Sequence, residues 1–332
     1  MHVELAVPGL LQARAPVPAL ELLLARGRRR VEDAATLEAW YAAALGLGEA
    51  PLPAGALTAL GAGLDAASGA WLRADPVHLR ADRDRALLIP SQGFALAEDE
   101  ARALAAALRR HFAEDFALHV VRPDAWCLQA HRDLPADGPP PAELAGADVD
   151  AALPDKRWHA LLNEIQMALY QDETNTAREA RGEPVVNSVW PWGGGALPEP
   201  GQARAPWQSL SADDPLAAGV ARLAGLRHRP EGEDAAAWLS RAPEDGRHLV
   251  VLDAMRAARA MRDAEALDRI AARYEAAWFA PLLAALRSGR VGMVTVHVPE
   301  AGLAFETVRG DLRRFWRRAR PLAAYEATEA RA

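Results

Sequence analysis

The segment 175–195 holds the side chains with the clearest potential for ligand chemistry. These are Asn175, Arg178, Asn187, Trp190 and Trp192, followed by Gly193, Gly194 and Gly195. Three consecutive glycines remove every Cβ, which allows positive φ and lets backbone N–H groups face an anion or a closely packed neighbour. Asparagine amides can orient a ligand or satisfy loop backbone groups. The segment therefore indicates either a ligand-facing wall or a strand followed by a tight turn.

Two tryptophans, Trp190 and Trp192, lie two residues apart in this segment. Alternate side chains of a strand share one face, so both rings either pack in a core or line one cleft. Pro191 between them cannot donate a hydrogen bond to a sheet, which predicts an edge strand or the point where the strand leaves its sheet.

Two further candidates for chemistry, Asp253 and His297, end predicted core strands that we expect to be neighbours in the sheet. Asp253 closes Arg247-His-Leu-Val-Val-Leu-Asp253, and His297 lies near the end of the strand at 292–298. Open α/β sheets place functional groups at the carboxyl ends of their strands. The nine histidines include no i, i+2 or i, i+4 pair. The spacing therefore assembles no two-metal site, and a water-mediated polar pair is the simpler interpretation of these two residues.

The elements that must position these residues alternate along the chain. Short apolar strands at 3–7, 247–253, 292–298 and 303–308 alternate with helical patterns, the longest at 264–286, which is typical of an α/β protein. Residues 71–121 instead predict a compact β-β-α-β unit, with strands at 71–80, 85–90 and 117–121 and a helix at 98–112. This unit is too short to be a full domain unless more of the chain joins it.

Composition bounds the class of protein. The chain has 332 residues, of which 51% are hydrophobic and 25% charged, so we expect a globular protein of one large or two ordinary domains. A net charge of −7 argues against a general nucleic-acid surface but leaves a local basic patch open. The single cysteine, Cys127, favours a reducing compartment. With no signal peptide and no apolar run of ~20 residues, we expect a cytoplasmic protein without a membrane partner.

The sequence near the C-terminus is basic and aromatic, reading Leu312-Arg-Arg-Phe-Trp-Arg-Arg-Ala-Arg320. We predict a final helix capped by Asp311, with Phe315 and Trp316 packed inward and the arginines on a solvated face. The alternative is a surface for acidic partners or nucleic acid.

The order of motifs resembles the archaeal-type cofactor-independent phosphoglycerate mutases of the alkaline phosphatase superfamily. The chain reads Asn175-Thr-Ala-Arg178 and then Asn187-Ser-Val-Trp190-Pro-Trp192-Gly193, which resembles the Asn-x-x-Arg and Asn-x-x-Trp-x-Trp-Gly pattern of that family. The Asn-Ser-x-Trp-x-Trp-Gly-Gly-Gly signature is also similar to that of bacterial regulatory proteins of RpfE type.

The resemblance implies a fold and a domain plan. The fold would be an α/β three-layer sandwich with a mostly parallel sheet and an inserted α+β cap domain. The discontinuous core would comprise 1–70 and 188–332, and the cap 71–187. Within the cap, Arg73 and Arg178 match positions where arginines of the family meet the phosphate and carboxylate of the substrate; the alternative is that each pairs with a neighbouring acid.

Departures from the family pattern concern the metal ligands. Pro8 stands where the family has a first-strand aspartate, the segment after Asp253 lacks the family's histidine, and Val296 replaces an aspartate before His297. Asp253 and His297 would then be remnants of an ancestral site, with no metal and no cofactor retained. Losing several ligands would remove the electrophile that such phosphoryl transfer requires.

Three hypotheses follow. The first is a catalytically degenerate mutase-like protein that binds a small anionic metabolite or a protein partner. The second is an active mutase or phosphohydrolase with a rebuilt Mn²⁺ or Zn²⁺ site that includes Asp253 and His297. The third is an interaction scaffold whose tryptophan-rich edge docks another subunit.

Overall fold

A computed structural model describes residues 1–48, 50–82, 85–132, 134, 138–144, 156–199, 201–232, 234–243 and 245–326. The chain forms two compact units. The first comprises Met1–Ala50, Pro200–Ala217 and Ala221–Ala332, and the second comprises Pro51–Glu199 and Ala218–Val220. Residues 51–70 and 188–199 thus belong with the second unit, whereas the sequence-based boundaries at 71 and 187 assigned them to the first.

The first unit is built on a seven-stranded sheet with the order β2-β12-β11-β1-β10-β8-β9. The pairs β11-β1, β1-β10, β10-β8 and β8-β9 are parallel, while β12 runs antiparallel to both β11 and β2. The expected mostly parallel sheet is therefore confirmed. Its strands are β1 (His2–Ala6), β2 (Arg28–Val31), β8 (Ser209–Ser211), β9 (Arg227–Arg229), β10 (Arg247–Val251), β11 (Met293–Val298) and β12 (Leu303–Val308).

Alternation in the central strands separates an apolar face from a polar one. Val3 and Leu5 of β1 join the main hydrophobic core with Val294 and Val296 of β11. The intervening residues, among them Glu4 and His297, must point to the opposite face because strand side chains alternate. That opposite face carries the buried polar groups described below.

Helices connect the strands of this unit. They are α1 (Pro18–Arg26), α2 (Leu37–Ala44), α8 (Pro215–Leu223), α9 (Ala235–Arg241), α10 (Met255–Ala260), α11 (Ala264–Tyr274), α12 (Ala280–Ser288) and α13 (Ala323–Glu326). The predicted long helix at 264–286 is present, with a π-helical turn at Glu275–Phe279 between α11 and α12. Among the described residues, no helix is both long and apolar enough to span a membrane.

The predicted final helix at 312–320 is wrong. A short 3₁₀ turn spans Arg309–Arg313, and residues 314–321 are neither helix nor strand. Phe315 and Trp316 are 77% and 66% exposed. Pro321 also disfavours the helical conformation in the residue before it.

The second unit contains a five-stranded antiparallel sheet around one long strand, β3. The path is β4-β3-β6-β5, and β7 also pairs with β3. The strands are β3 (Ala70–Asp82), β4 (Arg85–Pro90), β5 (Phe116–Arg122), β6 (Ala125–Ala130) and β7 (Ser188–Gly195). The helices are α3 (Ala54–Gly61), α4 (Glu98–His111), α5 (Pro141–Leu144), α6 (Lys156–Tyr170) and α7 (Glu173–Ala180). The predicted β-β-α-β unit corresponds to β3, β4, α4 and β5.

The strand that holds Trp190 and Trp192 lies in this second sheet. Trp190 opposes Asp75, and Trp192 opposes Arg73, both in β3. The domain plan implied by the resemblance instead assigns this strand to the core that holds the first sheet. Backbone pairing with β3 holds the strand in the second sheet. Trp192 also contacts Asp75 and Arg73 of β3.

Helix α3 packs closely against β3 at Gly55. A Cβ built on Gly55 would lie 2.4 Å from the Leu72 Cα and 2.5 Å from the Leu72 backbone N and C atoms. Because backbone atoms cannot rotate away, Gly55→Ala should lower the free energy of unfolding by about 3 kcal/mol, despite alanine's better helix propensity. Chemical denaturation measures this loss.

Gly310→Ala is the control, since a Cβ there meets nothing within 4 Å. It should change stability by less than about 0.5 kcal/mol. Equal stability of the two variants would contradict the close packing of α3 on β3.

Candidate functional site

Arg73, predicted to meet a ligand, lies buried in the second unit against an acid. Its Nε and Nη2 donate to Asp75 Oδ1 at 2.9 and 2.7 Å, and its Nη1 donates to Thr58 Oγ1 at 3.2 Å. The guanidinium also lies over the Trp192 ring, 5.2 Å from its centroid. Arg73 is therefore paired with Asp75, as the alternative interpretation of Arg73 predicts.

Asp75 is the centre of this cluster. Its Oδ2 accepts from Trp192 Nε1 at 2.8 Å, and its Oδ1 accepts from the Trp126 backbone N–H at 3.2 Å. Burial raises the pKa of Asp75, although the charge of Arg73 and the hydrogen bond from Trp192 oppose this effect. The tryptophan therefore helps to hold a buried ion pair.

Arg178 occupies a second buried ion cluster in the same unit. It pairs with Glu100, and it donates from Nε to the Pro184 carbonyl at 2.9 Å and from Nη2 to the Ala95 carbonyl at 2.7 Å. Its guanidinium lies 5.7 Å from the Phe94 ring centroid. These contacts hold α7 against the chain segment that precedes α4.

Both asparagines of the segment bond backbone groups. Asn175 Nδ2 donates to the carbonyls of Leu169 and Val186 at 2.9 and 2.8 Å, and its Oδ1 accepts from the Val186 N–H at 2.9 Å. Asn187 exchanges two hydrogen bonds with the backbone of Leu79, at 2.7 and 2.8 Å. The predicted role of asparagine in satisfying backbone groups is therefore observed at both positions.

The tryptophans and glycines complete β7. Trp190 is fully buried and its Nε1 donates to the Pro139 carbonyl at 2.8 Å. Gly193 has φ +59°, and a Cβ there would lie 2.6 Å from the Ala54 Cβ. Gly194 and Gly195 end the strand, and a Cβ on Gly195 would meet Pro53 at 3.1 Å. Close packing against the start of α3 therefore accounts for glycine at 193 and 195.

In the first unit, His297 lies between two carboxylates. Its Nε2 is 3.1 Å from Glu4 Oε2, and its Nδ1 is 3.0 Å from Glu32 Oε2. Glu4 comes from the middle of β1, and Glu32 directly follows β2. The three residues form a Glu4–His297–Glu32 chain, held together from strands far apart in sequence.

Tryptophans and an arginine complete this network. Glu4 accepts from Trp207 Nε1 at 3.0 Å and from Arg247 Nε at 2.7 Å. Glu32 accepts from Trp40 Nε1 at 2.9 Å, and the Trp40 ring centroid is 4.9 Å from that of His297. Glu4 and Glu32 therefore each accept hydrogen bonds from donors other than the His297 imidazole.

Electrostatics favour the ionised form of all three members of the chain. Burial by itself lowers the pKa of His297, but hydrogen bonds to Glu32 and Glu4 outweigh it and raise that pKa. Burial likewise opposes ionisation of Glu4, yet hydrogen bonds from His297, Arg247 and Trp207 lower its pKa to about 2. The pKa of Glu32 is lowered in the same way. An imidazolium between two carboxylates results.

The two ring nitrogens of His297 face different carboxylates, Glu32 at Nδ1 and Glu4 at Nε2. Within the described residues, no group of three or more His, Cys, Asp or Glu side chains is arranged to hold a metal ion.

Asp253 lies apart from His297 in the sheet order. We expected the two to end neighbouring strands, but β1 lies between β10 and β11 and pairs with both. Asp253 follows β10, and the adjacent parallel strands β8 and β9 are followed by Asp213, Asp214 and Glu231. These four acids, together with Glu38, Tyr41 and Arg256, are called the acidic edge below.

Neighbouring acids of the acidic edge raise the pKa of one of their number, Glu231. Burial, with smaller effects of Asp253 and Asp213, raises the pKa of Glu231 to about 8 against the opposing effect of Arg273. Burial also raises the pKa of Tyr41, as do Asp214 and Asp253. The mutual effects on these pKa values indicate that the acids lie close enough to repel one another.

Within the part of the chain that the structure describes, two buried polar atoms at the acidic edge have no hydrogen-bond partner. Arg256 Nη2 donates to Glu38 Oε1 at 2.8 Å, which leaves Glu38 Oε2 without a partner. The Tyr41 hydroxyl is likewise buried and unpartnered. Because burying such groups costs free energy, they point to a ligand or solvent at this place.

Sequence reasoning missed Glu4, Glu32 and Tyr41 as site residues. One signal was present, since Glu4 interrupts the apolar run Val3-Glu4-Leu5-Ala6-Val7. A carboxylate in a buried strand requires a partner. Glu32 and Tyr41 carry no comparable local signal.

Comparison with known proteins adds a likeness of fold. No protein-family model matches the chain, and a search of curated proteins finds no match. Among solved structures the chain is similar to a cofactor-independent phosphoglycerate mutase from Thermoplasma acidophilum DSM 1728, at 16% identity and a TM-score of 0.46 over 98% of this chain and 94% of that one. It is also similar to the PH0037 protein from Pyrococcus horikoshii, at 14% identity and a TM-score of 0.53 over 92% of this chain and 87% of that one. The chain is thus a mixed α/β protein with a mostly parallel sheet and a second antiparallel sheet.

The Glu4–His297–Glu32 chain makes stability depend on pH. The raised pKa of His297 contributes stability that is complete below its unfolded value of 6.5 and is lost as the pH rises through the folded value. The lowered pKa of Glu4 contributes stability that is lost as the pH falls from 4.5 towards about 2. His297→Gln should lower the free energy of unfolding by about 3 kcal/mol at pH 6 and less above the folded pKa of His297. Denaturation of both proteins across pH measures the difference.

His131→Gln is the matched control, because His131 is exposed. Its difference from the unmodified protein should not vary with pH in this way. A His297→Gln difference that stays constant between pH 6 and pH 9 would argue against an imidazolium held by two carboxylates.

Proposed function

We propose that this chain is a non-catalytic binding or regulatory protein with a phosphoglycerate mutase-like fold and a degenerate metal site. The observation that carries the proposal is the engagement of both His297 ring nitrogens by Glu4 and Glu32. The resemblance to RpfE-type proteins supports the regulatory part. The single cysteine supports a cytoplasmic location.

The residues around β1 support the loss of metal chemistry. Divalent cations in phosphoryl transfer need several ligands that converge on one point. Pro8 has no side-chain donor where the related pattern has an aspartate, and Glu4 is neutralised by His297 and Arg247. A cation at this place would have to displace an imidazolium and a guanidinium.

The second unit is proposed as the cap. It interrupts the first unit between residues 50 and 200 of the chain, as an inserted domain does. An anionic ligand at Arg73 or Arg178 would require Asp75 or Glu100 to release the guanidinium. Breaking a buried ion pair costs several kcal/mol, so these two arginines are better suited to holding the unit together.

The acidic edge favours a positively charged small ligand instead. An ammonium or guanidinium group would interact favourably with these acids. The unpartnered Tyr41 hydroxyl and Glu38 Oε2 would accept its hydrogen bonds. The carboxyl end of a parallel sheet is also where ligands of α/β proteins bind.

An active enzyme is the alternative function. The observation in its favour is Glu231, whose pKa of about 8 keeps a carboxylic acid protonated near neutral pH, as a general acid requires. Under this alternative a mutase or phosphohydrolase would use Asp253 and its neighbours, with Mn²⁺ or Zn²⁺ supplied.

Metal content and turnover separate the two functions. We expect purified protein dialysed against Mn²⁺ and Zn²⁺ to retain less than about 0.1 metal ion per chain by mass spectrometry. We also expect no conversion of 3-phosphoglycerate to 2-phosphoglycerate and no phosphatase activity above the level of an Asp253→Asn variant. Stoichiometric metal together with turnover that this variant loses would establish the enzyme instead.

Ligand class is tested with putrescine as the cation and inorganic phosphate as the anion. Putrescine should raise the melting temperature, phosphate should not, and Tyr41→Phe should reduce the putrescine shift because it removes an acceptor. Tyr325→Phe is the control, since the Tyr325 hydroxyl is also buried without a partner but lies on α13. A shift with phosphate alone would reverse the assignment and favour an anionic ligand.

A further inference from the structure

Two segments of the first unit contribute arginines to one surface. Arg314 Nη1 donates to the Arg26 carbonyl at 3.1 Å, and Arg317 Nη1 donates to the Gly27 carbonyl at 2.9 Å. These bonds attach the irregular segment 313–320 next to β2, an edge strand that reads Arg28-Arg29-Arg30-Val31. We call residues 28–31 and 313–320 together the arginine–aromatic surface.

Large apolar side chains project from this surface. Phe315 is 77% exposed, Trp316 66% and Val31 80%. The two aromatic rings meet edge to face, with centroids 5.3 Å apart and planes at 82°. Tryptophan rarely stands this exposed without a partner to cover it.

The same surface is strongly basic in an acidic protein. It carries Arg28, Arg29, Arg30, Arg313, Arg314, Arg317, Arg318 and Arg320. Of these, Arg30 pairs with Glu306 and Glu32, and Arg314 pairs with Asp311. All residues of 315–321 are exposed. The whole chain has a net charge of −7, yet this surface concentrates arginines. Such a local excess of positive charge favours a polyanionic partner.

We propose that the arginine–aromatic surface binds single-stranded nucleic acid. The order Arg-Arg-Phe-Trp-Arg-Arg at 313–318 places phosphate-binding groups on both sides of base-stacking groups. A single strand offers the complement, because its backbone alternates phosphates with unpaired bases that stack on aromatic rings. Guanidinium groups bind phosphate through forked hydrogen bonds.

Two observations favour a single strand over other polyanions. A duplex groove is read by a helix or a strand pair, whereas residues 314–321 form neither. A lipid surface is bound by a broad apolar face, usually on an amphipathic helix, whereas this segment offers two aromatic side chains between arginines. The function proposed above rests on His297 and the acidic edge and does not depend on this surface.

The test is fluorescence anisotropy with a fluorescein-labelled 20-nucleotide oligo(dT) and oligo(U) and the full chain. Binding should be micromolar at low salt and should weaken steeply with salt, with a slope of log K on log salt of roughly −0.7 for each phosphate contacted. A Phe315→Ala, Trp316→Ala double variant should bind about tenfold more weakly with an unchanged salt slope. An Arg318→Glu, Arg320→Glu double variant should reduce both affinity and slope.

Controls come from the second unit. Tyr170 is 83% exposed and Arg102 70% exposed on its helices. Tyr170→Ala and Arg102→Glu should leave affinity within about twofold. All variants alter exposed side chains, so circular dichroism and melting temperature should match those of the unmodified chain and confirm folding.

Several outcomes would overturn the proposal. One is the absence of oligonucleotide binding at 20 mM salt. A second is binding that the aromatic and arginine variants leave unchanged. A third is sedimentation with phosphatidylserine vesicles that depends on Phe315 and Trp316 while oligonucleotides do not bind, which would assign the surface to a membrane. Equal affinity for poly-glutamate, insensitive to the aromatic variant, would show charge attraction without base stacking.

Discussion

The buried charge of Glu4 is the constraint on which the first unit depends. A carboxylate in the central strand of a sheet cannot be left without partners, because desolvation of an unpaired charge costs more than one hydrogen bond returns. His297, Arg247 and Trp207 supply those partners. Their positions in turn fix the register of β1 against β10 and β11. His297 is then held by Glu32, which follows the edge strand on the far side of β12. One charge thus links strands across most of the sheet.

The second unit also contains buried charges that require partners, at two places. Asp75 is held by Arg73 and Trp192, and Arg178 is held by Glu100 and backbone carbonyls. In each case a residue type that commonly binds substrates serves to satisfy another buried group. A resemblance in motif can therefore persist while the side chains are engaged in packing. This is why we base the proposed function on the engagement of His297 by two carboxylates and the proposed ligand class on the unpartnered atoms of the acidic edge. The further inference is based on side chains that remain exposed.

Much of the local structure was predictable from periodicity. The strands at 85–90 and 303–308 match the observed bounds of β4 and β12, and Glu98–His111 was predicted within one residue. Short or polar strands were not predictable. Arg28–Val31 has three charged residues in four, and it forms a strand only because β12 supplies a partner for its backbone. The helix predicted at 312–320 is wrong for the opposite reason. The composition favours a helix, but Phe315 and Trp316 are not buried against the rest of the first unit.

The sequence by itself determined the class of fold, the alternation that buries β1, β10 and β11, and the close backbone approach at Gly193 that only glycine tolerates. It also contained the anomaly of Glu4 in an apolar strand. Only the tertiary structure decided what each charge meets. Glu4 and His297 are 293 positions apart, and Asp75 and Trp192 are 117 apart. Hydrogen bonds act over about 3 Å, and no local pattern encodes which distant strand comes within that range. The partners of Arg73, Arg178 and His297 are therefore visible only in the tertiary structure.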